Sequence, residues 1–475
     1  MESPAAHPRL GGCFLGRRPR RPHRATTARR ARIRSASSLF FCAGLLRPPV
    51  HSGAPWRPAE ATVVFGFDLY PGSDTYCTER QSTYVFSRHS QLPSVCVVES
   101  GDIHSPSRCT AFEHRSVAMS PLPTSMRAWS HTVRGNPSRV LTLSTLPVPT
   151  LPTPTSVLVR VNYAALSAGG AIMVYFAPFL FRKSPAVPEL DFAGSIAQLG
   201  GSVTSSHPGL SLGTRVVGSL TVPAHMGGSG ALAEYVAIEA ENVVPIPDGV
   251  PLELAAGVPV SGCTAIEVVK AAQLKRGDAV LVNGASGGVG HIALQLAKLE
   301  VGESGRAVSV TSRRNVDLAK SLGADEAVDY ELHQPVATYL KQNYANPRFS
   351  AVVDAYGLES MYTRSPDYLQ PGRPYATVGI AFSSFSWSSL LLSVYKMFKY
   401  KLLPTWLGGV PRQFAQVTGV SNRDGINYLL GLVRDGKMKL VVDGGRPIAM
   451  EEVPEAFDLM LHKRARGKII VKIQD

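Results

Sequence analysis

Short, unbroken apolar runs punctuate the second half of the chain. Asp278–Asn283 (DAVLVN) and Ala307–Thr311 (AVSVT) are rich in β-branched and small residues without polar alternation. That is the pattern of strands covered by helices on both faces of a parallel sheet. Similar runs occur at Ala327–Tyr330, Ala351–Ala355 and Tyr375–Gly379. From Val289 onward, Ile292, Leu296 and Leu299 recur at helical spacing. The alternation predicts an α/β architecture with a doubly wound parallel sheet. Between Met126 and about residue 250 the pattern differs. MRAWSH, VLTLSTLPVP, SVLVRVNYAAL, PAVPELDFAGSIAQLG, GTRVVGSL and ALAEYVAI read as strands broken by Pro and Gly turns. Around Pro251 it switches to helix. The tail, KLVVDGGRPIAMEEVPEAFDLMLHKRARGKIIVKI, predicts strand, helix, strand, returning to close the first β part.

The first 125 residues are of another kind. They hold 16 Arg, no Lys and 8 acidic residues, and 12 of those Arg fall before residue 58 with a single acid, Glu2. That is transit-peptide composition, or the mark of an over-extended reading frame whose true start is Met119 or Met126; composition favours the second. Either way, a largely disordered extension is expected there. The expected division is therefore 1–125 extension, 126–250 first β part, 251–439 nucleotide-binding part and 440–475 closing β part.

The formal charge of +14 is concentrated in that extension, so it does not argue for nucleic acid as a partner. No basic recognition helix is present. Five of six cysteines precede residue 126, and only Cys263 follows. That excludes a disulfide framework in the body and fits a reducing compartment, cytoplasmic, or mitochondrial if the extension is real. No run reaches 18 apolar residues, so no transmembrane span is expected.

Candidate chemistry centres on Gly284–Gly290, GASGGVG, between the first parallel strand and its helix. Glycines there let the backbone approach a pyrophosphate, and the helix N-terminus offers free N–H groups and a positive dipole end. The motif departs from G-x-G-x-x-G: Ala285 holds the first position, Gly287 and Gly290 the others. The second strand ends in Ser312, Arg313 and Arg314, where a carboxylate would bind an NAD ribose. A hydroxyl and two guanidiniums suit a ribose 2′-phosphate, so NADPH is the expected cofactor.

PELDFAG, AAGVPVSGCTA, NGASGGVG, SLGADEAVDY, VVDAYG and RGKIIVKI occur in this order from Met126 to the C-terminus. In them the chain resembles the medium-chain dehydrogenase/reductase superfamily, in its zinc-free quinone oxidoreductase (zeta-crystallin-like) branch. The resemblance implies a GroES-like β domain split between the ends of the body, an inserted Rossmann domain and an active site in the cleft between them. It implies pyrophosphate contacts from Ser286, Gly288 and Val289 and 2′-phosphate contacts from Ser312 and Arg313. Tyr330 would pack near the adenosine, and Gly467 and Lys468 would reach the cofactor from the tail. The zinc-binding G-H-E element aligns with Glu189-Leu190-Asp191, and a cysteine ligand with Ser167. Cys263 lies off the third ligand position and reads as a core thiol, so no metal is expected. The N-P-x-D of many zinc-free relatives reads Ser167-Ala168-Gly169-Gly170 here, which puts the usual quinone in doubt.

Without zinc, hydride delivery from NADPH suits an electron-poor acceptor, a quinone or the β-carbon of an enone or enal. Tyr163 or Tyr175 could donate the proton, but packing is their commoner role, and no catalytic residue is singled out. Gly284–Gly288 also satisfies G-x-S-x-G, which would make Ser286 a hydrolase nucleophile with Asp354 and His462; Gly290 and the arginines then have no role. Finally, 388–408 is apolar and aromatic with Lys396, Lys399 and Lys401 interleaved. It reads as a lid over the cleft, a homodimer contact or a peripheral membrane contact.

Overall fold

The computed structural model describes residues 122–475 apart from 179, 181, 382 and 383, together with the backbone of Ser82–Ser87 and Ser94–Glu99, which pair antiparallel. The expectation for residues 1–121 otherwise lies outside the described residues, and the first strand of the body, Ser125–Ser130, begins one residue before the expected boundary. Everything below belongs to the compact unit Met119–Asp475.

Six strands form a parallel sheet in the order Glu326–Asp329, Arg306–Thr311, Ala279–Asn283, Ala351–Asp354, Pro374–Thr377, Gln413–Gln416. In chain order this is 3-2-1-4-5-6, the doubly wound arrangement, with its switch point between Ala279–Asn283 and Ala351–Asp354. The central strand is apolar throughout because both of its faces are covered. Val280 and Val282 pack in one core with Ala293, Leu294 and Ala297 of the helix Gly290–Val301. Leu281 turns to the opposite core, with Val308, Val352 and Leu340. Truncating such a side chain, Leu281→Ala, costs about 2–5 kcal/mol. The sixth strand, Gln413–Gln416, was not read from the sequence: its mixed polar residues hide an edge position.

The β part is a second sheet built on the long strand Ser156–Ala165. It pairs antiparallel with Asp191–Leu199, Tyr235–Glu239 and the C-terminal Ile470–Lys472, the last in the register Ile470↔Ala165. The tail therefore does close the sheet begun some 300 residues earlier, and the GroES-like and Rossmann parts are both present. The strand expected at the start of the tail is reduced to a single bridge, Val442↔Lys468. A bridge suffices because its purpose is to hold the residues just before Ile470.

Candidate active site

The glycine turn sits at the carboxyl end of Ala279–Asn283, at the switch point. Gly284 has φ +70°, a conformation that favours glycine. A Cβ on Gly290 would lie 2.0 Å from the Gly284 carbonyl oxygen, so the helix can begin this close to the strand only without a side chain there. Gly287 N–H donates to the Gly284 carbonyl (3.0 Å), curling the turn on itself. The turn is further stitched to the tail, where Gly467 N–H donates to the Ser286 carbonyl. The amides of His291 and Ala293 close back on the Gly287 and Val289 carbonyls, while those of Gly288, Val289 and Gly290 have no hydrogen-bond partner among the described residues and lie at the helix start. A cradle kept open by glycines at a helix N-terminus fits a dinucleotide pyrophosphate.

Ser286 is fixed from two sides. Its Oγ accepts from Thr311 Oγ1 (2.9 Å) and Asn315 Nδ2 (3.0 Å), and Asn315 also donates to Ser312 Oγ. The turn and the end of the second strand are thereby one hydrogen-bonded unit. Ser312 is buried, whereas Arg313 and Arg314 are exposed beside it. Arg314 Nη2 donates to the Arg464 carbonyl, which holds that guanidinium across the tail. Tyr330 is partly exposed; burial pushes its hydroxyl up in pKa, and nearby Arg314 opposes the shift. Tyr356 and Lys463 join this rim: Lys463 Nζ donates to the Tyr356 hydroxyl (2.8 Å) and lies over its ring. Tyr356 lies in the VVDAYG stretch, which carries the resemblance without marking a role for it, and Lys463 lies outside every such stretch.

Lys468 is placed otherwise than expected. It is neither an exposed lysine nor a side chain offered to the open cleft. It is 4% exposed, and its ammonium donates to the Leu166 carbonyl (2.8 Å) and Ser261 Oγ (3.1 Å). Its stem runs beneath the turn, since a Cβ on Gly288 would lie 3.4 Å from Lys468 Cδ. Burial lowers its pKa, while Asp191 and Glu189 hold it up. His291, the second residue of the same helix, is wholly buried and donates through Nδ1 to the Gly287 carbonyl. Burial lowers it to about 4, so it is neutral.

A catalytic zinc does not fit these donors. Ser167 Oγ is engaged with Glu189, Leu190 offers no ligand atom, and Cys263 is a core thiol packed near Ile426 and Leu429. Among the described residues no three His, Cys, Asp or Glu side chains gather as a metal site. The hydrolase triad is not assembled either. Asp354 accepts from Asn283 Nδ2, Tyr375 Oη and the amides of Tyr356, Gly357 and Leu358. His462 Nδ1 donates to the Asp458 carbonyl one turn earlier. Among the described residues no hydrogen bond joins Asp354 to His462, or either of them to Ser286.

The segment expected as lid or contact surface is a helix, Trp387–Leu402, ending in a short turn at Thr405–Leu407. Leu391, Tyr395, Phe398 and Leu402 line one exposed face of it. Lys396 is turned inward to Glu359, and Lys399 lies over the Tyr400 ring. No helix among the described residues is long and apolar enough to cross a membrane. At its start, Phe385 stacks on Tyr175 (4.4 Å between centroids) and Trp387 meets Phe176 edge-on (5.2 Å). Tyr175 and Phe176 end the helix Ala168–Phe176, which Ser167 caps through the Gly170 amide.

The chain matches the family model of the alcohol dehydrogenase GroES-like domain over residues 153–248 and that of zinc-binding dehydrogenases over 322–471. It is 34% identical over 377 residues to the medium chain reductase pydE of an Acremonium species, covering 74% of this chain and all of that one. It is 31% identical to the trans-enoyl reductase poxH of Penicillium oxalicum, covering 74% and 99% of the two chains. The quinone oxidoreductase structure from Coxiella burnetii superposes on 74% of this chain and all of its own, with a TM-score of 0.59 at 24% identity. With the glycine cradle, the doubly wound sheet and the split β part in place, the chain belongs to the medium-chain dehydrogenase/reductase superfamily, in its quinone oxidoreductase-like branch, and is an oxidoreductase.

Proposed function

We propose that this oxidoreductase uses NADPH to reduce an already electron-poor acceptor, the activated C=C of an enone or enal or a quinone, without zinc. The observation that carries the reading is the unit formed by Ser286, Thr311 and Asn315, which joins the glycine cradle to the strand end bearing Ser312, Arg313 and Arg314. When bound, the nicotinamide supplies a hydride. The chain's own part is to bind and orient. Gly288, Val289 and Gly290 present amides to the pyrophosphate, Gly287 lends open backbone without a side chain, and Ser286 shapes the turn. Ser312, Arg313 and Arg314 supply a hydroxyl and two fork-shaped cations where a 2′-phosphate lies, with no carboxylate to favour a bare ribose. Tyr330 flanks the adenosine side. Lys468 braces the turn from below.

The acceptor class follows from the donors available. A simple carbonyl needs a Lewis acid, and Ser167, Leu190 and Asp191 do not make a zinc site. An acceptor conjugated to a carbonyl needs only positioning and a proton. The likeness to a trans-enoyl reductase supports the same class.

The test is oxidation of NADPH and of NADH by the full chain across a panel of enones, enals, quinones and plain aldehydes, before and after dialysis against a chelator. The expected result is turnover of an enone, enal or quinone, higher kcat/KM with NADPH, and no change on chelation. Turnover confined to plain aldehydes, or lost on chelation, would overturn it.

A further inference from the structure

Glu189 is held in a way that no packing role requires. Its backbone has φ +67°, in the left-handed region that costs a non-glycine residue conformational energy. Its side chain is 0% exposed. One carboxyl oxygen, Oε2, accepts from Ser167 Oγ at 2.8 Å, and Oε1 has no hydrogen-bond partner among the described residues. The neighbouring helix is cut to fit it: a Cβ on Gly170 would lie 2.3 Å from Oε1. Strain and an unsatisfied buried oxygen in one residue are kept only where the group is used.

The carboxyl also has an address. Ser167 follows Leu166, whose carbonyl accepts from the Lys468 ammonium. Lys468 in turn bonds Ser261, and a Cβ on Gly288 of the nucleotide turn would lie 3.9 Å from Ser261 Oγ. The path from cofactor cradle to Glu189 is therefore Gly288, Ser261 and Lys468, then Leu166 and Ser167. Ser167 is its partly exposed member. On the far side, Asp191 is buried and accepts the Val260 amide.

We propose that Ser167 and Glu189 are a proton-delivering pair for the acceptor, Ser167 giving the proton and Glu189 replacing it from within. This rests on the acceptor reading above. After the acceptor has gained a hydride at its β-carbon, the displaced π-electron pair resides on its oxygen. That oxygen takes the proton of the Ser167 hydroxyl. With Glu189 neutral the 2.8 Å contact reverses, Oε2–H donating to Ser167 Oγ, so the Ser167 oxygen regains a proton along it, leaving a carboxylate that is reprotonated from solvent by way of Ser167. For an enone or enal this gives the enol, which passes to the saturated carbonyl compound by losing the oxygen-bound proton to solvent and gaining one at the α-carbon; the sum is acceptor plus hydride plus one proton. For a quinone the same relay protonates the hydroquinone oxygen.

The charges around Glu189 are set for it to carry the proton. The charged groups facing it are Asp191, on the strand that follows it, and Lys468, from the tail; Ser167 faces it from the helix start, and Val260 and Ser261 lie behind without charge. Two buried acids share one ammonium. Burial pushes Glu189 up to about 8 against the pull of Ser167 and Lys468, and pushes Asp191 up to about 6. Glu189 is thus the acid that stays neutral near pH 7 while Asp191 faces the ammonium.

The test uses the full chain with Ser167→Ala, Glu189→Gln and Glu189→Gly. Glycine suits φ +67°, so Glu189→Gly is expected to fold with a raised Tm and to bind NADPH within about twofold of the parent, while kcat falls ~10²-fold or more. The alkaline limb of kcat against pH, near pH 8 in the parent, is expected to vanish in both Glu189 variants. A Glu189→Gly protein that keeps kcat, or that loses it with the limb unmoved, overturns the proposal. A second readout needs no substrate. The Tm advantage of Glu189→Gln over the parent should widen as pH rises from 6 to about 8 and level off above it, because in that window folding must protonate a carboxylate that is ionised in the unfolded parent. A constant difference would show that Glu189 holds no proton to give, and would overturn the pair whatever the acceptor. Widening without turnover of any enone, enal or quinone would instead fault the acceptor reading, and the pair as an acceptor donor with it.

Discussion

The amide of Gly467 donates to the carbonyl of Ser286 at 2.8 Å, tying the last loop of the chain to the glycine turn of the nucleotide site. Gly467 has φ +71°, and a Cβ there would lie 2.1 Å from the Val441 carbonyl. Gly467→Ala is therefore expected to lose about 1–3 kcal/mol from backbone strain alone. Because the displaced loop bonds Ser286, affinity for NADPH should fall as well. Denaturant unfolding together with fluorescence titration of NADPH checks both. Lost stability with unchanged NADPH affinity would mean that the stitch does not shape the turn.

The two arginines make a sharper claim about the cofactor. Arg313 and Arg314 are exposed, so exchanging them should shift stability by no more than about 0.5 kcal/mol. If they meet the 2′-phosphate, Arg313→Glu with Arg314→Glu removes charge-assisted bonds worth about 1.5–3 kcal/mol. KM for NADPH should then rise about 10–100-fold while KM for NADH moves little. An equal rise for both nucleotides would place the phosphate elsewhere. Arg314 also bonds the Arg464 carbonyl, so the single variants separate tail docking from phosphate contact.

His291 makes the acid stability of the fold a readout of the turn. It is buried and neutral, with its pKa depressed from 6.5 to about 4. A group depressed on folding contributes stability that is present above its unfolded value and lost as pH falls through the folded one. Stability should therefore decline between pH 6.5 and 4, by roughly 3 kcal/mol at most from this residue. His225, also lowered to about 4 by burial, contributes in the same window. Tm measured against pH should flatten there in His291→Gln. An unchanged slope would assign the effect to His225.

The sheet was legible because its strands are short, apolar on both faces and spaced by helices, so local pattern and global position agree. Gln413–Gln416 escaped because an edge strand need not be apolar, and the expected strand near Val441 shrank to a bridge because only Val442 pairs. At the site, Ser286, Gly290 and Arg313 could be placed by distance along one βαβ unit. The group of Ser167, Glu189, Asp191, Ser261 and Lys468 could not. Its members come from four separate stretches, and nothing local marks Glu189 as buried or left-handed. Lys468 shows the same limit, since the tail motif located its backbone but not the direction of its ammonium.

The aromatic contact at the start of the helix Trp387–Leu402 decides what that helix is expected to do. Tyr175 and Phe176 belong to the helix that Ser167 caps, and they stack on Phe385 and meet Trp387 edge-on. Such ring pairs are worth about 0.5–1.5 kcal/mol beyond the area they bury. Trp387→Ala should accordingly raise KM for the acceptor by up to about tenfold and leave KM for NADPH unchanged, as a lid over the acceptor side requires. The membrane alternative is weakened because Lys396 is already paired with Glu359 and Lys399 lies over Tyr400. Co-sedimentation with anionic liposomes at low salt is expected to fail. Pelleting that disappears on replacing Lys396, Lys399 and Lys401, with acceptor KM unmoved by Trp387→Ala, would make the exposed stripe of Leu391, Tyr395, Phe398 and Leu402 a lipid-facing surface instead.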